Sequence, residues 1–357
     1  MQKTIDYNPI LSGFHPDPSI CRVDDTFYII TSSFEYFPGI PIFKSTDLHN
    51  WEQVGHIIDR PSQLPDLKEI PASNGIWAPT IRYHENKFYV IVTFVQTNNC
   101  PVHYLFSADS PEENWSEPII IEEEFHGIDP SLFFDNDNKV YLTVNGRDPL
   151  NPDKNGIIQC EIDIDTGKTL SDTKFIWEGS GADFVEGAHL YKINNKYYLT
   201  TAEGGTSYGH LVAVGRSDSP WGPFENCPHN PILTQCSLHH PVKATGHGDL
   251  VQTKNGDWFM VFLGIRPVNN KHVLGRETFI QPVNWTEDGW PIAGNNNRLN
   301  FDQPNPVLKK IHDDFSTTKL DDYWNFCRLP DNNTWSLTEN SGHLRLKNNK
   351  NDFDTIT

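Results

Sequence analysis

The sequence predicts an all-β fold: a five-bladed β-propeller followed by the start of a truncated β-sandwich. Three observations lead there. One phrase recurs five times, helical periodicity is absent, and the pattern changes character near residue 306. Each copy of the phrase runs from a polar or small residue into an apolar strand, a tight polar turn and an aromatic residue. The copies open at Asp17, Ala78, Asp129, Glu186 and His247 and reach Tyr28, Tyr89, Tyr141, Tyr198 and Phe259, 11 or 12 residues on. Successive copies start 51 to 61 residues apart. A period of that size built only of strand patterns marks a propeller, with one sheet per repeat around an axis.

Within each repeat the first hairpin is the clearest element. Its turns are expected at Asp24-Asp25, Glu85-Asn86, Asp137-Asn138, Asn194-Asn195 and Asn255-Gly256, residue types that favour tight hairpin turns. The apolar runs after them, from Tyr28 through Phe259, read as buried second strands. Outer strands carry Trp51, Trp115 and Trp221 after Ser45-Thr-Asp, Ser107-Ala-Asp and Ser217-Asp-Ser, and these indoles are expected to pack between blades. The last repeat runs out near Trp290-Pro291. After the polar run Gly294–Asn300 a new pattern begins around Val307, with Trp324, Trp335 and Leu344-Arg345-Leu346. The expected division is 1–305 for the propeller and 306–357 for the N-terminal part of a sandwich. A closed sandwich of this kind needs ~100 residues, so the second domain is expected to be incomplete.

Bulk properties narrow the function. The chain has 357 residues, 26 prolines, 24 glycines and a formal charge of −19. That charge argues against nucleic acid, whose phosphates call for a basic face, and is compatible with a neutral sugar. The first residues hold no apolar signal segment, and no run approaches the ~18 apolar residues of a membrane span. Six scattered cysteines show neither a C-x-x-C pair nor zinc spacing. A cytoplasmic protein with reduced thiols and no membrane partner is the expectation.

If each phrase opens the innermost strand of a blade, the five opening residues face one funnel. Three of them, Asp17, Asp129 and Glu186, are carboxylates. Glycoside hydrolysis uses such a set: one acid protonates the leaving oxygen while a second carboxylate activates water or attacks the anomeric carbon. A third can hold the acid protonated, because like charges in one cavity resist joint ionisation. Trp77, Phe34 and Phe37 lie where loops meet the funnel, and their flat rings suit the apolar face of a pyranose or furanose. His247 is either a hydrogen-bonding channel histidine or a ligand to a trapped divalent cation; the chemistry itself requires no cofactor. Arg276, in the last blade, is placed to reach sugar hydroxyls.

Seven motifs occur in the order that characterises glycoside hydrolase family 43, and most resemble its β-xylosidase branch. They are His15-Pro-Asp-Pro-Ser-Ile20, Ser33-Phe-Glu-Tyr-Phe-Pro-Gly39, Gly75-Ile-Trp-Ala-Pro79, Gly127-Ile-Asp-Pro-Ser131, Glu186-Gly-Ala-His-Leu-Tyr191, Gly246-His-Gly-Asp-Leu250 and Gly275-Arg-Glu-Thr278. The resemblance implies hydrolysis with inversion, with Asp17 as general base, Glu186 as general acid and Asp129 tuning and orienting that acid. It also implies substrate-side or channel roles for Arg276 and His247, and pocket walls at Trp77 and Phe34. Ala188 stands where the family more often has Pro. The expected activity is exo-hydrolysis of short β-1,4-xylooligosaccharides from the non-reducing end. Arabinofuranosidase or dual activity is the alternative, and a non-catalytic sugar-binding propeller the remote one. In this branch a complete C-terminal sandwich supports oligomers.

Overall fold

The computed structural model describes residues 7–112, 114–121, 127–306 and 311–347. The expected start of the second pattern at Val307, and the last ten residues, lie outside them. Five antiparallel sheets follow one another along the chain, each in simple sequential strand order from the inside outwards. Their innermost strands are Ser19–Val23, Gly75–His84, Ile128–Phe134, Glu186–Ile193 and Lys243–Gln252, one for each predicted phrase. These are blades I to V of a five-bladed propeller, and the only helical element among the described residues is a 3₁₀ turn at Pro65–Glu69.

Twisted sheets pack face to face, so each pair of neighbouring blades encloses its own apolar core. Ile42, Ile57, Val90 and Phe106 lie between blades I and II. Leu105 meets Leu142 and Ile158 between II and III, and Trp177 meets Leu199 and Ala213 between III and IV. Val212, Val214, Phe262 and Phe279 fill the gap between IV and V. Val261 and Ile280 meet Ile29 and Phe43 between V and I. Trp115 belongs to the first of these cores, and Trp51 and Trp221 pack on two others, as expected for wedges between blades.

The ring is closed by the N-terminal segment. Asn8 exchanges two hydrogen bonds with the backbone of Ile280 at 2.9 Å each, and Ile10 and Leu11 pair with Thr278 on the third strand of blade V. This lays residues 8–11 from the start of the chain against its last blade.

Two hairpin turns differ from the sequence expectation. The turns at Asp24-Asp25, Glu85-Asn86 and Asn194-Asn195 are two-residue turns. In blades III and V the connections are wider, closed by Asp135 with Lys139 and by Thr253 with Asp257. In both, a residue in the left-handed region (Asn138, Gly256) is the fourth of five residues between the paired strands, where the tight turns have two. Phe37 is also not a funnel wall. It is 7% exposed and belongs to the core between blades I and II.

Part of the C-terminal segment lies on the propeller. Phe326–Cys327 pairs with Tyr36–Phe37, Arg328 donates to the carbonyls of Ile70 and, through its backbone, Glu35, and Gln53 donates to the Asp322 carbonyl at 2.7 Å. Leu329 packs against the first inter-blade core.

Beneath the funnel a polar hub ties the blades together. Asp249 of blade V is fully buried. It accepts from Ser19 Oγ (2.7 Å) and Ile20 N (3.0 Å) of blade I, Arg82 Nη1 (2.9 Å) of blade II and Tyr191 OH (2.6 Å) of blade IV. Blade III joins through Ser131, 3.0 Å from His189 Nδ1, which also meets Arg82. These partners hold the Asp249 carboxyl far below the ordinary range even though burial alone would raise it; Arg82 contributes most. Removing one member of such a pair strands its partner, which costs ~3–5 kcal/mol. Asp249→Ala is therefore expected to lose about that much in urea unfolding at neutral pH. A loss below ~1 kcal/mol, the level of an exposed pair, would show that the hub does not hold the blades.

Candidate active site

Four of the five innermost strands do not begin as regular ladders. The register shifts at Ile76/Pro79, Ile128/Ser131, Glu186/His189 and Gly246/Asp249, which places a bulge at the opening of blades II to V. Asp17, Asp129 and His247 have φ of 52°, 56° and 52°, a region non-glycine residues seldom occupy. Bulges re-aim side chains at strand ends. Here they fall at Asp129, Glu186 and His247, the opening residues of blades III to V.

The structure brings the predicted residues together. Arg276 Nη1 lies 2.7 Å from Asp17 Oδ1, and Ser32 Oγ donates to Asp17 Oδ2 at 2.6 Å. His247 Nδ1 stands 3.9 Å from Asp17 Oδ1 and 4.0 Å from Asp129 Oδ2. Asp129 Oδ2 also accepts from the backbone N–H of Gly187 at 3.1 Å, directly after Glu186. That contact links the second carboxylate to the segment carrying the third. Gly187 has φ +56°, and a Cβ there would stand 3.0 Å from the His247 ring. Only glycine fits this approach without displacing the histidine.

The aromatic wall is built by a blade I loop paired with blade II. Phe34 and Ile76 exchange backbone hydrogen bonds of 2.8 and 2.9 Å. A Cβ on Gly75 would lie 2.5 Å from the Phe34 carbonyl oxygen, so this pairing requires glycine. Trp77 Nε1 donates to Ser73 O at 3.0 Å, and its ring lies 6.5 Å from that of Phe34. The Arg276 guanidinium sits 5.4 Å from the Phe34 ring centroid, which joins the wall to the carboxylates. Phe14 extends the wall outward, 5.8 Å from Phe34 and from Tyr36.

The carboxylates do not share one electrostatic environment. Burial would raise Asp17, but Arg276, His247 and the Ser32 hydroxyl outweigh it and carry its pKa below the ordinary value. Glu186 is raised to about 7, first by burial and then by the charge of Asp17, with Arg276 opposing. Asp129 is raised to about 7 by burial, with Glu186 and Asp17 adding to the rise and His247 and the Gly187 N–H opposing it. At neutral pH the cavity therefore holds an ionised Asp17 beside a carboxyl pair that retains a proton. Among the described residues no cluster of three or more His, Cys, Asp or Glu stands at metal-ligand spacing.

Several contributors escaped the sequence reading. Ser32 and the hub residues Arg82, Tyr191 and Asp249 were not singled out, nor was His210. The His210 ring packs against Gly246, and burial lowers its pKa to about 4. A signal for the hub was present. The residue two after each opening position is Ser19, Thr80, Ser131, Ala188 or Asp249, a small or polar set buried one layer below the funnel.

Comparison with known proteins places this geometry. The sequence model of Glycosyl hydrolases family 43 matches residues 7–291, and that of the Beta xylosidase C-terminal Concanavalin A-like domain matches 312–356. A xylosidase/arabinosidase of Butyrivibrio fibrisolvens is 44% identical over 95% of this chain and 68% of its own length. A non-reducing end α-L-arabinofuranosidase of Bacteroides ovatus is 42% identical over 99% of this chain and 67% of its own. The crystal structure of a xylan β-1,4-xylosidase from Bacillus halodurans superposes with a TM-score of 0.87 at 41% identity. It covers 96% of this chain and 68% of that one.

Arg276 is the cation nearest Asp17, so Arg276→Ala should raise the Asp17 pKa. Carboxyl-resolved NMR titration measures this directly; an unchanged Asp17 would mean that Ser32 and His247 suffice.

Proposed function

The chain belongs to glycosyl hydrolase family 43, and from that membership we propose that it is an inverting exo-β-xylosidase acting on short β-1,4-xylooligosaccharides. The observation that carries the mechanism is the split between an ionised Asp17 and a proton-bearing Glu186 in one funnel. The terminal xylose enters against Phe34 and Trp77, with Arg276 positioned beside its hydroxyls. Water on the face of the sugar opposite the leaving group attacks the anomeric carbon, and Asp17 takes the proton that water releases. Glu186 gives its proton to the glycosidic oxygen as the bond to that oxygen breaks. The products are α-xylose and the shortened chain, and protons balance once Asp17 and Glu186 exchange one with solvent. Asp129, bonded to the Gly187 N–H, fixes the strand start that aims Glu186 and forms with it the carboxyl pair that retains a proton, while the charge of Asp17 helps keep Glu186 protonated.

The working range follows from these states. Asp17 must be ionised and Glu186 protonated, so activity rises as pH passes the depressed Asp17 value and falls as it passes about 7. The relatives named for both xylosidase and arabinosidase activities give a second reading, release of terminal arabinofuranose, some footing. Hydrolysis of 4-nitrophenyl β-xylopyranoside against 4-nitrophenyl α-L-arabinofuranoside decides between them, and the proposal predicts the higher kcat/KM on the xyloside.

The two main carboxylates separate by substrate. Glu186→Ala should cost xylobiose hydrolysis ~10²–10⁴-fold, and cost an aryl xyloside, whose leaving group departs with little protonation, much less. Asp17→Ala should depress both alike, because both need activated water. Equal losses for the Glu186 variant, with the aryl substrate spared in the Asp17 variant, would reverse the assignment. In Asp129→Asn the alkaline limb of the pH profile should move to lower pH, since no second carboxyl ionising near 7 then opposes the ionisation of Glu186.

A further inference from the structure

The segment leading into Glu186 is held in an unusual way. Phe184 has φ +57°, a strained conformation for a bulky residue, yet it is 65% exposed. No core packing explains holding an exposed ring in that geometry. The backbone around it is fixed by Glu203, which is fully buried and accepts from Ser180 N and Ser180 Oγ at 2.8 Å and from Ala182 N at 3.3 Å. Gly204 N donates to Asp183 O at 2.7 Å, and Asn145 Nδ2 donates to Val185 O at 2.6 Å. The Phe184 ring lies over Gly205, on the loop that joins the second and third strands of blade IV. Such loops share the funnel end of the propeller with the openings of the innermost strands.

Phe184 also lines a cleft of about 620 Å³ between blades III and IV, together with Asp153, Lys154, Asn155, Glu178 and Ser180. One exposed ring beside several hydroxyl, amide and charged groups is the composition that binds a sugar. Position gives the cleft its meaning. The proton donor must face the glycosidic oxygen, so the leaving sugar lies beside the acid segment, and this cleft starts at the two residues before the acid.

We propose that Phe184 is the stacking platform for the leaving-group sugar and that the blade III–IV cleft receives it. This rests on the xylosidase reading above and assigns the side of the scissile bond which Phe34 and Trp77 do not touch. Strain at Phe184 then has a purpose: the ring is preset, so little ordering is needed when sugar arrives.

The test is a binding measurement, because turnover would mix sugar contact with acid placement. In the Glu186→Gln background, calorimetry compares xylose, which fills only the terminal-sugar pocket, with xylobiose, which must reach both sides. The expected result is that xylobiose binds more tightly than xylose. Adding Phe184→Ala should weaken xylobiose about tenfold, close to the worth of one aromatic stack, and leave xylose within about twofold of its value. Phe184→Trp should restore xylobiose affinity, which a merely structural role would not require. Unchanged xylobiose affinity in Phe184→Ala, or an equal loss for both sugars, would overturn the assignment. If the Glu186→Gln protein binds neither sugar, the xylosidase reading fails and takes this inference with it.

Discussion

Asp249 is the interaction on which the remaining geometry depends. Its carboxylate sits at the axis without solvent, bonded to blades I, II and IV, while Ser131 and His189 draw in blade III. A propeller's five sheets are otherwise joined by apolar cores, which are non-directional and would tolerate small rotations of one blade against the next. Hydrogen bonds from four directions onto one carboxylate do not. They fix where the innermost strands stand and, at the openings of those strands, where Asp17, Asp129, Glu186 and His247 meet.

Above that floor the chemistry comes from uneven compensation of like charges. Three carboxylates share a funnel with Arg276 and His247, and the cations are not evenly placed. Arg276 is bonded to Asp17 at 2.7 Å, and Ser32 serves the other oxygen of the same carboxylate. Asp129 receives a single backbone N–H and a histidine at 4.0 Å. Burial acts on all three, so the one with the best partners ionises and the other two give up their protons only near pH 7. Base and acid are thus distinguished by second partners rather than by residue type.

Much of this was legible in the sequence because a propeller repeats itself. The five phrases gave the blade count and the phase of each innermost strand, and phase put Asp17, Asp129 and Glu186 at one end of one axis. What repetition cannot encode was missed. Phe37 and Phe34 sit three residues apart in one loop, yet pairing of Phe37 with Phe326 sends it into the core while Phe34 stays at the funnel. The two wider turns look like their two-residue counterparts because asparagine and glycine serve both. Arg82 and Tyr191 read as ordinary strand residues until the neighbouring blades bring them to Asp249. Phe184 lies between motifs, and the backbone before it is held by Glu203, which ends the second strand of blade IV.

The central claim is that Asp17 activates water and never bonds to the sugar. The measurement that meets it most directly is proton NMR of xylobiose hydrolysis, followed from the first seconds before mutarotation. Single displacement by water predicts that α-xylose appears first from the non-reducing residue, with β-xylose growing only as the anomers equilibrate. Prompt release of β-xylose would mean two displacements through a covalent intermediate, and would contradict the roles given to these carboxylates.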